Sequence, residues 1–323
     1  MKQILLFVVG ISSLVNCLDL MDSSMFSDLP NLIPVSFGPN YNREAVSRRI
    51  ASWRPKSGRN IWELSGLREG DIMDQPGDKG RNVIIDPKYN WPNNTMVYRL
   101  MHGMTSKEKM VVKEAMEMIM QGSCMHFRPY RNGDKDYVYI QYNDTGCWSL
   151  VGRRGGAQPV NLQRDACFIP GPVAHELLHA AGFEHQHSAP DRNDYVFINY
   201  TNIEEADWDQ FELLSASEYS ELGVGYDYNS LMHYTRTAFS KNGEDTIIPY
   251  EDGVEIGQQD YVSDKDYRKL NVKYNCHYED DQMENKVDWS QNGESNSMHG
   301  HANSNPSVES NGNHGGGFMS LLG

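Results

Sequence analysis

Three observations predict an α+β domain. Residues 96–101 (MVYRLM) and 137–141 (YVYIQ) alternate or run apolar and read as strands. Between them, Thr105 and Glu108 have the spacing of a capping box. They open a helix carrying Met110, Val111, Ala115, Met118 and Ile119 on one side, where methionines fill a core rather than bind metal. A second helix is predicted over 172–181, with Pro172 in its first turn. Strands and a helix come first, and a helix-bearing remainder follows.

The chain has 323 residues, 39 % of them hydrophobic and 23 % charged. That supports one large domain or two small ones. The mean hydropathy of -0.63 and the lack of a long apolar run exclude a polytopic membrane protein. A net charge of -15 argues against a nucleic-acid partner, which favours a basic face.

Residues 1–17 stand apart. Lys2 precedes an apolar run over 4–15 (ILLFVVGISSLV), too short to span a bilayer, and Val15 and Cys17 suit cleavage after Cys17. The segment reads as a secretory signal peptide. Its removal leaves Cys124, Cys147, Cys167 and Cys276, an even four that in a secreted chain imply two disulfides with three pairings open. Sequons at Asn93, Asn143 and Asn199 fit the same compartment. Residues 18–81 are polar and irregular, and GDKGR (77–81) ends in Arg81, a cutting place for a trypsin-like protease. Residues 18–81 are therefore expected to be a propeptide and 82–276 the folded domain. After Cys276 the chain turns polar: seven acids against Lys286 leave residues 277–323 at -6, the composition of a disordered acidic tail. That tail holds His299, His301 and His314 but no Cys.

The chemistry is concentrated in HELLHAAGFEH (175–185). His175 and His179 are four apart, so one helical face presents both imidazoles to a single metal ion. Glu176 lies beside the first and reaches a metal-bound water. Gly182 lets the backbone leave the helix in a left-handed turn, and the chain returns to deliver His185. Three neutral histidines leave a Zn²⁺ site open to water, whose pKa the ion lowers. Glu176 is placed to take that water's proton and pass it to a leaving amine, the equipment of amide hydrolysis. An inert zinc-stabilised binding protein has no use for Glu176.

HExxHxxGxxH is similar to the motif of the metzincin metalloproteases, and the longer string 175–196 resembles the zinc signature of the astacin family. YDYNSLMHY (226–234) resembles that family's Met-turn, CWSLVGRRGG (147–156) its strand region by the cleft, and residues 256–276 its C-terminal helix and last cysteine. The resemblance runs from about residue 68 to Cys276. It implies a mixed twisted sheet and active-site helix in an upper half, a more irregular lower half with the C-terminal helix, and a cleft between them. It implies one Zn²⁺ per subunit, Met232 as the floor beneath it, and Tyr234 as a residue that ligates zinc at rest and holds the oxyanion during catalysis. It pairs Cys124 with Cys276 and Cys147 with Cys167. REGDI (68–72) resembles the family's propeptide motif, which makes Asp71 the carboxylate that binds zinc and displaces water; Arg68 stands where the family has Phe.

One departure concerns the residue after the third histidine. The family has Glu there to receive the new α-ammonium after trimming; this chain has Gln186, which accepts a hydrogen bond but forms no ion pair. The expectation is a secreted, monomeric zinc endopeptidase made as a zymogen, with a peptide substrate, a trypsin-like activator, and no membrane or nucleic-acid partner. The substrate is expected along an edge strand near residues 158–162. Arg236 is a candidate for acidic selectivity, or for a plain surface salt bridge.

Overall fold

The computed structural model describes residues 30–276 apart from 56, 77–85, 165 and 217–218. The expected signal peptide, the expected cut after Arg81 and the tail from residue 277 lie outside the described residues. Contacts divide the chain into two units, 1–277 and 278–323, and every described residue belongs to the first.

The first element among the described residues is a helix, α1 (Arg43–Ser52), inside the stretch expected to be irregular. Asn42 caps it by accepting the Ala45 N–H, and only Val46 and Ile50 are buried. Two large apolar residues in ten leave almost no periodic signal, which is why the sequence reads as loop there.

The sheet has five strands: β1 (Thr95–Leu100), β2 (His126–Pro129), β3 (Tyr137–Gln141), β4 (Cys147–Ser149) and β5 (Ala157–Leu162). Their order is β2-β1-β3-β5-β4, parallel throughout except that β4 runs antiparallel to β5. Thus β4 is an edge and β5 is not. Residues 157–161 are paired with β3 on one side, and Leu162, Asn161 and Val160 with β4 on the other. The expectation of an edge strand near residues 158–162 is corrected: β4, which precedes β5 in the chain, pairs along its second side and is itself the edge. That edge already has a neighbour: Ser149 N–H donates to the Asp71 carbonyl (3.1 Å) and Met73 N–H to the Ser149 carbonyl (2.8 Å).

Helix α2 (Ser106–Met120) opens on the Thr105–Glu108 capping box. It buries Val111, Val112, Ala115, Met116 and Ile119, while Met110 is 54 % exposed. The buried stripe is rotated from the expected one because α3 (Pro170–Ala180) packs against that side. Helix α3 begins two residues earlier than expected, with Pro170 as its first residue, and all of Gly171 to Ala180 is buried. Beyond it lie a two-stranded ribbon, β6 (Val196–Ile198) with β7 (Ile247–Pro249), and α4 (Asp264–Lys273). Cys124 is bonded to Cys276 and Cys147 to Cys167. No helix among the described residues is long and apolar enough to cross a membrane.

Candidate active site

Helix α3 presents His175 and His179 on one face. It ends at Gly182, whose φ of 101° is the left-handed conformation that favours glycine. There the Phe183 N–H donates to the Leu178 carbonyl (3.0 Å) and the Gly182 N–H to the His179 carbonyl (2.8 Å). A Cβ at Gly182 would meet only the flexible end of Lys273, 2.6 Å from its Cε, so it is the backbone conformation that requires glycine. The reversed chain brings His185 back to the two helical histidines.

The three Nε2 atoms converge. His175 Nε2 lies 3.1 Å from His179 Nε2 and 3.3 Å from His185 Nε2. Asp71 completes the set: its Oδ2 is 3.0 Å from His175 Nε2, and its Oδ1 is 3.4 Å from His179 Nε2 and 3.3 Å from His185 Nε2. Ligands about 2.0–2.1 Å from a tetrahedral ion lie about 3.3–3.4 Å apart, so these separations are the edges of such a site.

The proton positions agree. His175 Nδ1 faces the Leu231 carbonyl (2.9 Å), His179 Nδ1 the Phe183 carbonyl (2.7 Å) and His185 Nδ1 the Glu69 Oε2 (3.0 Å). Each acceptor assigns the proton to Nδ1 and leaves a lone pair on Nε2. Burial pushes the His175 ring down to about 4, which keeps it neutral. Three ring nitrogens and a carboxylate aimed at one point suit a cation; against its burial, the Asp71 and Glu69 carboxylates hold the His185 ring up at about 9, so at that nitrogen a metal ion replaces a proton. All four side chains are buried, and together they form a group able to bind a metal ion.

Glu176 follows His175 on α3. Its two carboxylate oxygens are buried and have no hydrogen-bond partner among the described residues. Burial pushes its carboxyl well above the usual range, and the Asp71 charge adds to this. Tyr234 is buried beside the histidines, its ring stacked on His187 at 3.8 Å and 4.6 Å from the His185 ring. Its hydroxyl donates to the Glu69 carbonyl rather than joining the four-residue cluster. Met232 is buried, and its carbonyl accepts the Gln186 N–H at 2.9 Å.

Several contributors were not legible in the sequence. Glu69 holds His185 and also accepts from Ser188 Oγ (2.9 Å). Its φ of 46° precedes Gly70, whose Cβ would stand 2.9 Å from the Trp62 carbonyl. Trp62 stacks on His175 at 4.0 Å. Arg68, in place of the expected Phe, lies 3.2 Å from Asp74 and 3.4 Å from Glu184. Asp266 accepts from Ser230 Oγ (2.6 Å) and the Leu231 N–H (2.8 Å), and so holds the turn that supports His175. Its only sequence signal is the Ser263–Asp266 capping box of α4.

Other candidates resolve differently. Arg236 reaches Asp245 at 3.5 Å and donates to the Val254 carbonyl at 2.6 Å, the plain salt-bridge account. Asn93 and Asn143 are exposed, and Asn199 is half-buried with Oδ1 accepting from Thr201 Oγ1 at 2.6 Å.

Comparisons with known proteins agree with this geometry. The profile of the Astacin peptidase family matches residues 83–275. The chain is 40 % identical over 211 residues to zinc metalloproteinase nas-14 of Caenorhabditis elegans, covering 65 % of this chain and 42 % of that one. It therefore spans less than half the length of that relative. It is 36 % identical over 226 residues to seminal metalloprotease 1 of Drosophila melanogaster, covering 66 % of this chain and 88 % of that one. Among solved structures it resembles high choriolytic enzyme 1, a hatching enzyme zinc-protease from Oryzias latipes, with TM-score 0.54 and 34 % identity over 58 % of this chain and 94 % of the other. By motif, fold and family profile, the chain belongs to the astacin family of zinc metallopeptidases.

Proposed function

We propose that this chain is a secreted zinc endopeptidase made as a zymogen, with a signal peptide at 1–17, a propeptide at 18–81, a protease domain at 82–276 and a polar acidic tail at 277–323. One observation carries the reading: the Asp71 carboxylate stands at the fourth corner of the histidine cluster, 3.0 Å from His175 Nε2. A carboxylate there is a competent ligand that excludes water, and Glu69, Trp62 and the 71–73 backbone fasten the same segment to the cleft.

The residues fit one zinc ion per subunit, held by His175, His179 and His185. When bound, zinc supplies a Lewis acid and makes a water acidic enough to attack at neutral pH. Glu176, buried and without a donor, is the base that accepts a proton and then the acid that delivers it to the leaving amine. Tyr234 donates to the Glu69 carbonyl in the latent chain; with Glu69 gone, that hydroxyl becomes free to donate to the oxyanion. Met232 closes the site from below. The outer edge of β4 takes an extended peptide substrate by strand addition once residues 71–73 leave it. A trypsin-like protease is the activator. The protein acts outside the cell as a monomer, with two disulfides and sugars at Asn93, Asn143 and Asn199.

The test is to trim the secreted precursor with trypsin and follow quenched peptides with and without a zinc chelator, locating the new N-terminus by mass spectrometry. Activity that appears on cutting near Arg81, vanishes with chelator and returns with zinc is expected. One equivalent of zinc with no turnover of any peptide would overturn the reading in favour of a zinc-binding protein.

A further inference from the structure

Gln186 directly follows the third histidine, and its amide is tied to two groups remote in sequence. Its Oε1 accepts from Lys269 Nζ at 2.5 Å, and its Nε2 donates to Glu221 Oε1 at 2.8 Å. Lys269 Nζ also pairs with Glu221 Oε2, and Tyr219 donates its hydroxyl to Glu221 Oε1 at 2.6 Å. The Lys269 and Glu221 side chains are 6 % and 12 % exposed. The Gln186 N–H is meanwhile bound to the Met232 carbonyl. A buried ammonium from α4, a carboxylate from residue 221 and the amide of Gln186 thus form a closed ring. Beside it lies a cavity of about 20 Å³ lined by Phe183, Met232 and Asp266 among others, room for roughly one water.

Such a ring calls for a reason. A buried ion pair contributes little net stability, and an apolar residue at 269 would fill the space as well. What the ring does supply is direction. Neutral Gln186 has one acceptor and one donor group, and the ring engages both, so its side chain has one orientation. His185 is the adjacent residue.

We propose that Lys269 is a positioning residue of the metal centre, a cation built into α4 that fixes Gln186, and through the backbone His185, against the Met232 turn. The inference rests on the reading of His185 as a zinc ligand. It further means that the cation beside Gln186 is already in place before trimming, so no new chain terminus has to supply it.

Three variants of the full-length, zinc-loaded chain test this. Lys269→Met removes the charge and keeps the stem. Lys269→Met with Glu221→Gln removes both charges, so that no buried carboxylate is stranded. Lys269→Arg keeps the cation. The readouts are the rate of zinc transfer to a chromogenic chelator and the melting temperature of the zinc-stripped protein. Loss of charge is expected to speed zinc release by about 10–100-fold, the usual effect of removing a group that orients a metal ligand. Lys269→Arg is expected to stay within about threefold of the parent, and the stripped double variant to melt within a few degrees of the stripped parent. After trimming, the double variant should lose kcat with KM little changed, and parent chains trimmed one residue apart should share one kcat. Parental zinc release in the double variant, release from Lys269→Arg as fast as from Lys269→Met, or a more than tenfold dependence of kcat on the exact N-terminus would overturn the proposal. A parent that holds zinc but cleaves no peptide would instead defeat the peptidase reading, and the zinc-release comparison would still decide the role of Lys269.

Discussion

His175 uses its two ring nitrogens for different purposes. Nδ1 keeps its proton and donates a hydrogen bond to the Leu231 carbonyl, and Nε2 is thereby left with a lone pair for the metal. The neighbouring Glu176 is the opposite case, a buried carboxyl that nothing satisfies among the described residues. Such a group destabilises the resting fold, and in the proposed mechanism it is the group that accepts and delivers a proton. Glu176→Gln is therefore expected to keep one zinc per chain and a melting temperature at or above the parent's. Turnover of the trimmed enzyme should fall by at least about 100-fold. A variant with half the parental turnover would remove Glu176 from the chemistry. At this scale the sequence was informative where chemistry imposes a local spacing, as in His175, Glu176, His179, Gly182 and His185. Glu69, Asp266 and Lys269 act across long separations through side chains of common type, so no local pattern marks their contacts with the site; the capping box at Ser263 and Asp266 signals only a helix start.

Among the elements, α3 and α2 were legible because each carries a punctuating signal: Gly182 after the first, Thr105 with Glu108 before the second. Helix α1 has only Asn42 at its start, and it is stable because Val46 and Ile50 dock on the core rather than through its own propensity. The place of β5 within the sheet was not legible, since strand order depends on the return through β4. The proposed propeptide also contains a titrating element. Glu63, in the short 3₁₀ turn Trp62–Leu64, accepts from Thr235 Oγ1 at 3.0 Å, next to Tyr234. Burial pushes its carboxyl up to about 7, against hydrogen bonds from Asn60 and Thr235 that favour ionisation. A raised carboxyl stabilises the docked state fully below its free value near 4.5 and loses that contribution as pH rises through 7. In zinc-loaded protein, where the histidines are held by metal, hydrogen-exchange protection of residues 62–73 should fall by up to about tenfold per pH unit between about 4.5 and 7. Glu63→Gln should flatten that slope, and an unchanged slope in the variant would assign the titration elsewhere.

In the molecule as a whole, the candidate site is a meeting of distant segments. Helix α3 and the turn at 230–232 supply the metal cluster and its support, while residues 62–73 lie over it. The Cys124–Cys276 bond joins positions 152 residues apart and fastens the end of the domain behind α4, so the helix carrying Asp266 and Lys269 stays against the cluster. An α+β class followed from local patterns alone, whereas the mixed sheet and the cleft followed from the resemblance. The contact of Asp71 with the histidines, 104 residues away from His175, is what converts this fold into a closed zymogen in the present account.

That contact can be seen directly in a crystal structure of the untrimmed, zinc-loaded chain with anomalous scattering at the zinc edge. One peak is expected among His175, His179 and His185, with an Asp71 oxygen as the fourth ligand at about 2.0–2.2 Å. A peak elsewhere, or a fourth position held by water with Asp71 turned away, would contradict it.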